Sequence, residues 1–184
     1  TVAYIGPWNV DIYQKMPDTV QYLYESFPET KIFKQSLELS TKTPEQYTKE
    51  LIDKGNQVYT YAQQILNKIE PLKSPEQIKL VSFSVEQLGF PNGATLQEIY
   101  DKARSMGLEL CPPQVGPELR LSYTDQPNDE YLRIAMEPIA DAGGDPGLFS
   151  VDRDGSGPWL YGSHGRMGYR WRGSYRFVFR SSKS

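Results

Sequence analysis

One cysteine and one histidine are all that this chain of 184 residues has of the two residue types most used for metal and thiol chemistry. Cys111 has no partner for an internal disulfide, so the fold must stand on its core alone. His164 has no second imidazole with which to build a metal cluster. These shortages exclude most metal-dependent and thiol-dependent hydrolases. No P-loop, dinucleotide fingerprint or HExxH pattern occurs. Nowhere is there a run of about 18 apolar residues, so no membrane-spanning helix is expected. A basic excess is missing too. The formal net charge is -3, which argues against a chain built wholesale to coat nucleic acid. The opening residues, Thr1 to Trp8, show no basic run followed by an apolar stretch. No secretory signal is therefore read there, and synthesis in the cytoplasm, compatible with display on a cell or virion surface, is the expectation.

What is present reads as α+β. Val2 to Ile5 suggests a strand, Pro17-Asp18-Thr19 a helix start, and Lys31 to Leu39 a second strand. Thr43-Pro44-Glu45-Gln46 is a capping signal with proline at the first helical position. An apolar stripe follows through Tyr47, Leu51, Val58, Ala62, Ile65, Leu66 and Ile69. It predicts one long helix ending near Glu70, weakened in its middle by Gly55. Ile78 to Val85 reads as a strand. Thr95 caps a helix with Leu96, Ile99, Tyr100, Ala103 and Met106 on one side and Gly107 in the terminating position. Strands are then expected at Leu108–Cys111, Leu119–Tyr123, Tyr131–Met136, Leu148–Val151 and Arg176–Arg180, separated by Gly-, Pro- and Asp-rich turns.

Candidate chemistry is sparse. Asp152-Arg153-Asp154-Gly155 has two alternating carboxylates before a glycine, half of a calcium loop, but lacks a third ligand and a distal glutamate. An ordinary turn is the better reading, and neither a metal nor a cofactor is expected. Cys111, between Leu110 and Pro112, reads as a small buried hydrophobe. The unusual segment is the tail from Gly155 to Arg180, which has no Lys, Glu, Gln, Asp or Asn. Tyr, Ser, Gly, His and Arg alternate there with Trp159, Trp171 and the closing Phe177-Val178-Phe179. Tyrosine, serine and glycine with occasional arginine is the composition of antibody-type paratopes, where rigid aromatic area costs little side-chain entropy. The apolar anchors would fix the segment, leaving Ser156, Tyr161, Gly162, Ser163, His164, Gly168, Tyr169, Gly173, Ser174 and Tyr175 for display. A second reading uses Arg166, Arg170, Arg172, Arg176 and Arg180 with the aromatics to hold single-stranded nucleic acid. A third takes the segment as a Gly-rich hairpin stack closing a sheet, its arginine stems covering apolar surface.

On these residues the chain resembles the variable proteins of diversity-generating retroelements. In that family adenine-directed mutagenesis rewrites asparagine-type codons, which yields Tyr, Ser, Gly, His, Arg and Asp among others, but never Lys, Glu, Gln, Met or Trp. Every proposed display position lies in the permitted set, whereas Trp159, Met167 and Trp171 lie outside it. Arg176-Phe177-Val178-Phe179-Arg180 resembles the invariant end of the rewritten segment. Gly107 to Leu121 resembles a stretch upstream of such tails. Residues 1–72 read from their caps and apolar stripes as a mainly helical segment, and the resemblance implies a C-type-lectin-like domain over 73–184, with variable region about 152–176. Trp159, Trp171, Phe177 and Phe179 would be scaffold. It implies a non-enzymatic protein binding a macromolecule, a protein rather than nucleic acid or membrane. The Glu-Pro-Asn and Trp-Asn-Asp motifs of calcium-dependent sugar lectins are not matched, since Glu137-Pro138 precedes Ile139 and Trp159 precedes Leu160. The cysteines of the formylglycine-generating enzymes, which share that fold, are also missing. One predicted helix falls in the lectin-like part, where the fold usually has two.

Overall fold

The computed structural model describes residues 3–5 and 32–181; the helix start at Pro17-Asp18-Thr19 lies outside them. In chain order the elements are β1 (Ala3–Ile5), β2 (Ile32–Leu39), α1 (Pro44–Asp53), β3 (Gln57–Val58), α2 (Thr60–Leu66), β4 (Glu76–Ser84), β5 (Ala94–Thr95) and α3 (Leu96–Ser105). There follow β6 (Leu108–Glu109), α4 (Val115–Ser122), β7 (Glu130–Ile134), β8 (Ile139–Ala140), β9 (Pro146–Asp154), β10 (Gly157–His164), β11 (Arg170–Trp171) and β12 (Arg176–Ser181). The class is α+β. Among the described residues ten strands join one sheet in the order β1-β2-β4-β12-β7-β9-β10-β3, with β6 beside β12 and β8 beside β9, while β5 and β11 form a separate pair. Pairing is antiparallel except for β12 with β7 and β10 with β3.

Local chemistry accounts for the helix starts. The Thr43 hydroxyl accepts from the Gln46 N–H, and the Gln46 side chain accepts from the Thr43 N–H at 2.9 Å, so two otherwise orphaned donors are satisfied at once. Thr95 caps α3 through its hydroxyl, which accepts from the Glu98 N–H at 3.2 Å.

Two expectations are corrected. The single long helix over Tyr47 to Ile69 is broken in two: Gly55 takes a positive φ of 79°, the left-handed conformation that ends a helix, and its N–H bonds to the Ile52 carbonyl. The freed residues Gln57 and Val58 then pair with Trp159 and Leu160, and the Tyr59 N–H bonds to the Leu160 carbonyl. Sheet contacts outweigh helix continuity, and the apolar stripe survives because Tyr47, Leu51, Ala62, Ile65 and Leu66 are buried from both halves. The second correction is Leu119–Tyr123, expected as a strand and found largely in helix α4. Its alternation misleads because Arg120, at the position that a strand would expose, is 1% exposed. The terminal guanidinium nitrogens donate to the carbonyls of Asp152 and Tyr123 and to Gln126 Oε1, which offsets much of the cost of burial, while the Nε is buried without a partner. α4 also ties distant parts together, since Glu118 accepts from the Tyr47 hydroxyl at 2.9 Å and from Ser40.

The pleat sorts the centre of the sheet into two faces. Leu132, Val151 and Leu160 lie opposite one another across β7, β9 and β10 and are buried. The alternate positions place Arg133, Ser150 and Tyr161 in one row and Tyr131, Asp152 and Trp159 in the next, all on the other face. At the opposite end of this stretch Phe177 pairs with Phe83 and Phe179 with Val81, which locks β12 between β4 and β7. Each fully buried side chain of this kind contributes roughly 1.5–3 kcal/mol. The sheet draws strands from both sides of residue 72.

Candidate ligand-binding surface

The tail begins within the sheet, in the hairpin from β9 to β10. Its turn is closed by Asp154, whose carboxylate accepts from the Ser156 N–H at 2.8 Å and from the Ser156 hydroxyl at 2.5 Å. The Trp159 indole N–H then donates to that hydroxyl at 2.8 Å. These bonds hold the Asp154 carboxyl below the usual range. Its neighbour on the same face is in a different state. Asp152 is buried, and desolvation raises its carboxyl to about 6, against the lowering effects of the Ser150 hydroxyl, Arg133 and Arg120. One carboxylate is committed to its own turn and the other to Ser150. Among the described residues no group of three or more His, Cys, Asp or Glu is placed to hold a metal ion.

Beyond β10 lies a groove of about 550 Å³. Gly147 and Gly162 form part of its floor. Tyr61 and Ile65 of α2 stand on one side, and Ser163, His164 and Tyr169 come from the tail. Arg166 and Asp145 form an ion pair at the rim. The aromatic side chains are tied to the core by a continuous series of rings. His164 stacks on Tyr169 with centroids 4.4 Å apart, Tyr169 meets the Trp171 edge at 5.0 Å, and Trp171 meets Phe177 at 5.3 Å. Exposure falls along this series, from 38% at Tyr169 to 4% at Trp171 and 0% at Phe177. Such aromatic pairs contribute about 0.5–1.5 kcal/mol each beyond area burial. An exposed ring held this way has little freedom left to lose on binding.

The residues expected for display do not all fall in one place. Gly162, Ser163, His164 and Tyr169 line the groove. Tyr161 stacks on Tyr59 at 4.2 Å and meets Trp159 edge-on at 6.2 Å, forming a second aromatic patch on the hairpin. Tyr175 packs over Arg133 at 4.3 Å. Ser156, Gly168 and Ser174 are exposed outside the groove. Gly173 departs from the expectation: it is buried, and a Cβ there would stand 2.7 Å from the Pro91 carbonyl oxygen, so the position has no room for a side chain. Gly165 is similarly enclosed, with Pro138 at 2.9 Å. Of the expected scaffold residues, Trp171, Phe177 and Phe179 are buried, but Trp159 is only half-buried and lies on the outer face.

Several residues on this surface come from outside the tail. Tyr59 and Tyr61 precede or begin α2, Tyr131 and Arg133 sit on β7, and Asp141 and Asp145 belong to the β8–β9 turn. The signal for Tyr61 was its position off the Ala62-Ile65-Leu66 stripe, and for Tyr131 and Arg133 their alternation with Leu132 and Ile134. Three of the tail arginines are engaged at separate places. Arg166 pairs with Asp145, Arg180 with Glu76 and Glu109, and Arg170 donates to the Gly93 carbonyl. Cys111 is buried, and desolvation pushes its thiol up, away from the reactive thiolate. Compared with protein-family models, with curated proteins and with solved structures, the chain finds no match.

Proposed function

We propose that this is a non-enzymatic binding protein whose C-terminal segment forms a diversified ligand surface on a C-type-lectin-like scaffold, the role of the variable protein in a diversity-generating retroelement. One observation carries the reading: within a single segment, exposed Tyr, Ser, Gly and His positions alternate with apolar, mostly aromatic residues buried in the core. Ser163, His164, Gly168 and Tyr169 reach solvent, while Leu160, Trp171, Phe177 and Phe179 are buried. A surface rewritten between generations needs this arrangement, because exposed substitutions usually change stability by less than about 0.5 kcal/mol. The lectin-like assignment gains support from α3 and α4, two helices after residue 72, the number usual for that fold.

The proposed mechanism is one of pre-ordering. The sheet fixes the backbone, the ring series fixes Tyr169 and His164, and a protein ligand therefore meets aromatic area whose ordering has already been accomplished. Specificity comes from which side chains occupy positions such as 163, 164, 168 and 169. The nucleic-acid reading has less support, since Arg166 and Arg180 already face carboxylates.

Sequencing the DNA beside the gene tests the proposal. A near-copy of the final coding segment, differing only at adenines and lying beside a reverse transcriptase gene, is the expected finding. Copies differing at Trp171 or Phe177 codons as often as at the Tyr169 codon would overturn it.

A further inference from the structure

We infer that Arg133, flanked by Tyr131, Trp171 and Tyr175 on the sheet face that also carries Tyr161, is a fixed carboxylate seat, taking an Asp or Glu side chain of a protein ligand. The guanidinium lies over three rings, at 4.3 Å from the Tyr175 centroid, 5.3 Å from Trp171 and 6.0 Å from Tyr131. Rings satisfy the charge but not the hydrogen-bonding capacity. Arginine offers five N–H donors in a planar fork. Among the described residues this fork makes one long bond, 3.4 Å to the Tyr131 carbonyl, and its Nε is buried without a partner.

The nearest buried carboxylate does not fill the vacancy. Asp152 lies on the same face but takes its hydrogen bond from Ser150, and no ion pair within 4 Å joins it to Arg133. Arg120, also close to Asp152, donates only to uncharged acceptors. Arg133 and Arg120 thus both lie in the field of the buried Asp152 carboxylate. A planar carboxylate matches the fork two bonds at a time. A dianionic phosphate would meet the charge of Asp152 beside it. Arg133 lies outside the rewritten tail, whereas Tyr175, packed on it, lies inside. The seat would therefore be constant while its surroundings change. That the carboxylate belongs to a protein rests on the function proposed above.

The test uses the full chain, isotopically labelled, near neutral pH, with sodium acetate as probe. The Arg133 Nε–H resonance, assigned by its loss in Arg133→Lys, should shift saturably with acetate and not with chloride at matched ionic strength. Inorganic phosphate should produce a weaker response. Arg133→Lys, a point charge without the fork, should bind acetate at least about tenfold more weakly, the worth of one charge-assisted hydrogen bond. No acetate response, an equal response to chloride, a stronger response to phosphate, or undiminished acetate binding by Arg133→Lys would each overturn the seat. If the variant does not fold, the comparison of three anions on the unaltered protein still decides. Failure here leaves the diversified surface untouched, and absence of a near-copy of the coding segment leaves the seat untouched.

Discussion

Trp171 and Trp159 belong to the same tail, and the fold uses them in opposite ways. Trp171 is 4% exposed, packed between Tyr169, Tyr175 and Phe177. Trp159 lies half-buried on the outer face of β10, held by one hydrogen bond to Ser156 and one edge contact to Tyr161. Asp152 and Asp154 form a second such pair, and Gly173 and Gly168 a third. In each, the residue type is the same and the surroundings decide whether the position belongs to the framework or to the surface. The tail is an interleaving of the two rather than a loop attached to a core.

The tryptophan pair carries the largest expected effect. Trp171→Ala should destabilise the protein by about 3–5 kcal/mol, the cost of removing a buried indole and leaving a cavity. Trp159→Ala should cost about 1 kcal/mol, since it loses one hydrogen bond and partial packing. Trp171→Phe sharpens the contrast. The indole N–H of Trp171 is buried without a partner, so phenylalanine removes an unsatisfied donor and should recover much of the alanine loss. Urea unfolding of the three variants measures all of this, and equal losses at Trp159 and Trp171 would break the comparison.

The aspartate pair should separate by pH. Burial holds the Asp152 carboxyl at about 6, above its ordinary 3.8, so the native state binds that proton more tightly than the unfolded chain does. The stability that it contributes is present in full below the ordinary value, declines as pH rises towards about 6, and is flat above. A carboxyl held at about 6 rather than 3.8 corresponds to about 3 kcal/mol across that window. Asp152→Asn should flatten the slope and raise stability at neutral pH. Asp154→Asn should leave the slope in place, because the Asp154 carboxyl is held below its usual range by Ser156 and titrates at lower pH. Unfolding midpoints measured between about pH 4 and pH 7 distinguish the two.

These pairs also mark how far the sequence could be read. The capping residues Thr43 and Thr95, the strand at Ile78, and the closing Phe177-Val178-Phe179 were legible because local chemistry and tertiary contacts agree there. The break at Gly55 was not, because the gain comes from pairing Gln57 and Val58 with β10, far along the chain. α4 was misread because a buried arginine imitates the polar phase of a strand. β10 itself carries Gly, Ser and Tyr in no firm period, so its partners β9 and β3 define it. Composition identified the tail as the candidate surface, but it could not supply Tyr61 or Arg133, which the fold brings in from α2 and β7. Nor could it tell one glycine from another.

That last distinction has the smallest energies and bears most directly on the proposed diversification. A Cβ added at Gly173 meets the Pro91 carbonyl oxygen at 2.7 Å, and the backbone there is bound through the Gly173 carbonyl to the Glu86 N–H, so neither partner yields easily. A Cβ at Gly168 meets nothing within 4 Å. Gly173→Ser should therefore cost about 1–3 kcal/mol, the usual penalty of overpacking. Gly168→Ser should change stability by less than about 0.5 kcal/mol. Thermal unfolding of the two variants is the measurement. If a segment is rewritten at the level of codons, both glycines are open to change in the DNA, but only Gly168 is open in the protein. Among naturally occurring copies of this tail, position 168 should vary freely while position 173 stays glycine, and a folded copy with a large residue at 173 would show that framework and surface are not divided where the packing puts the boundary.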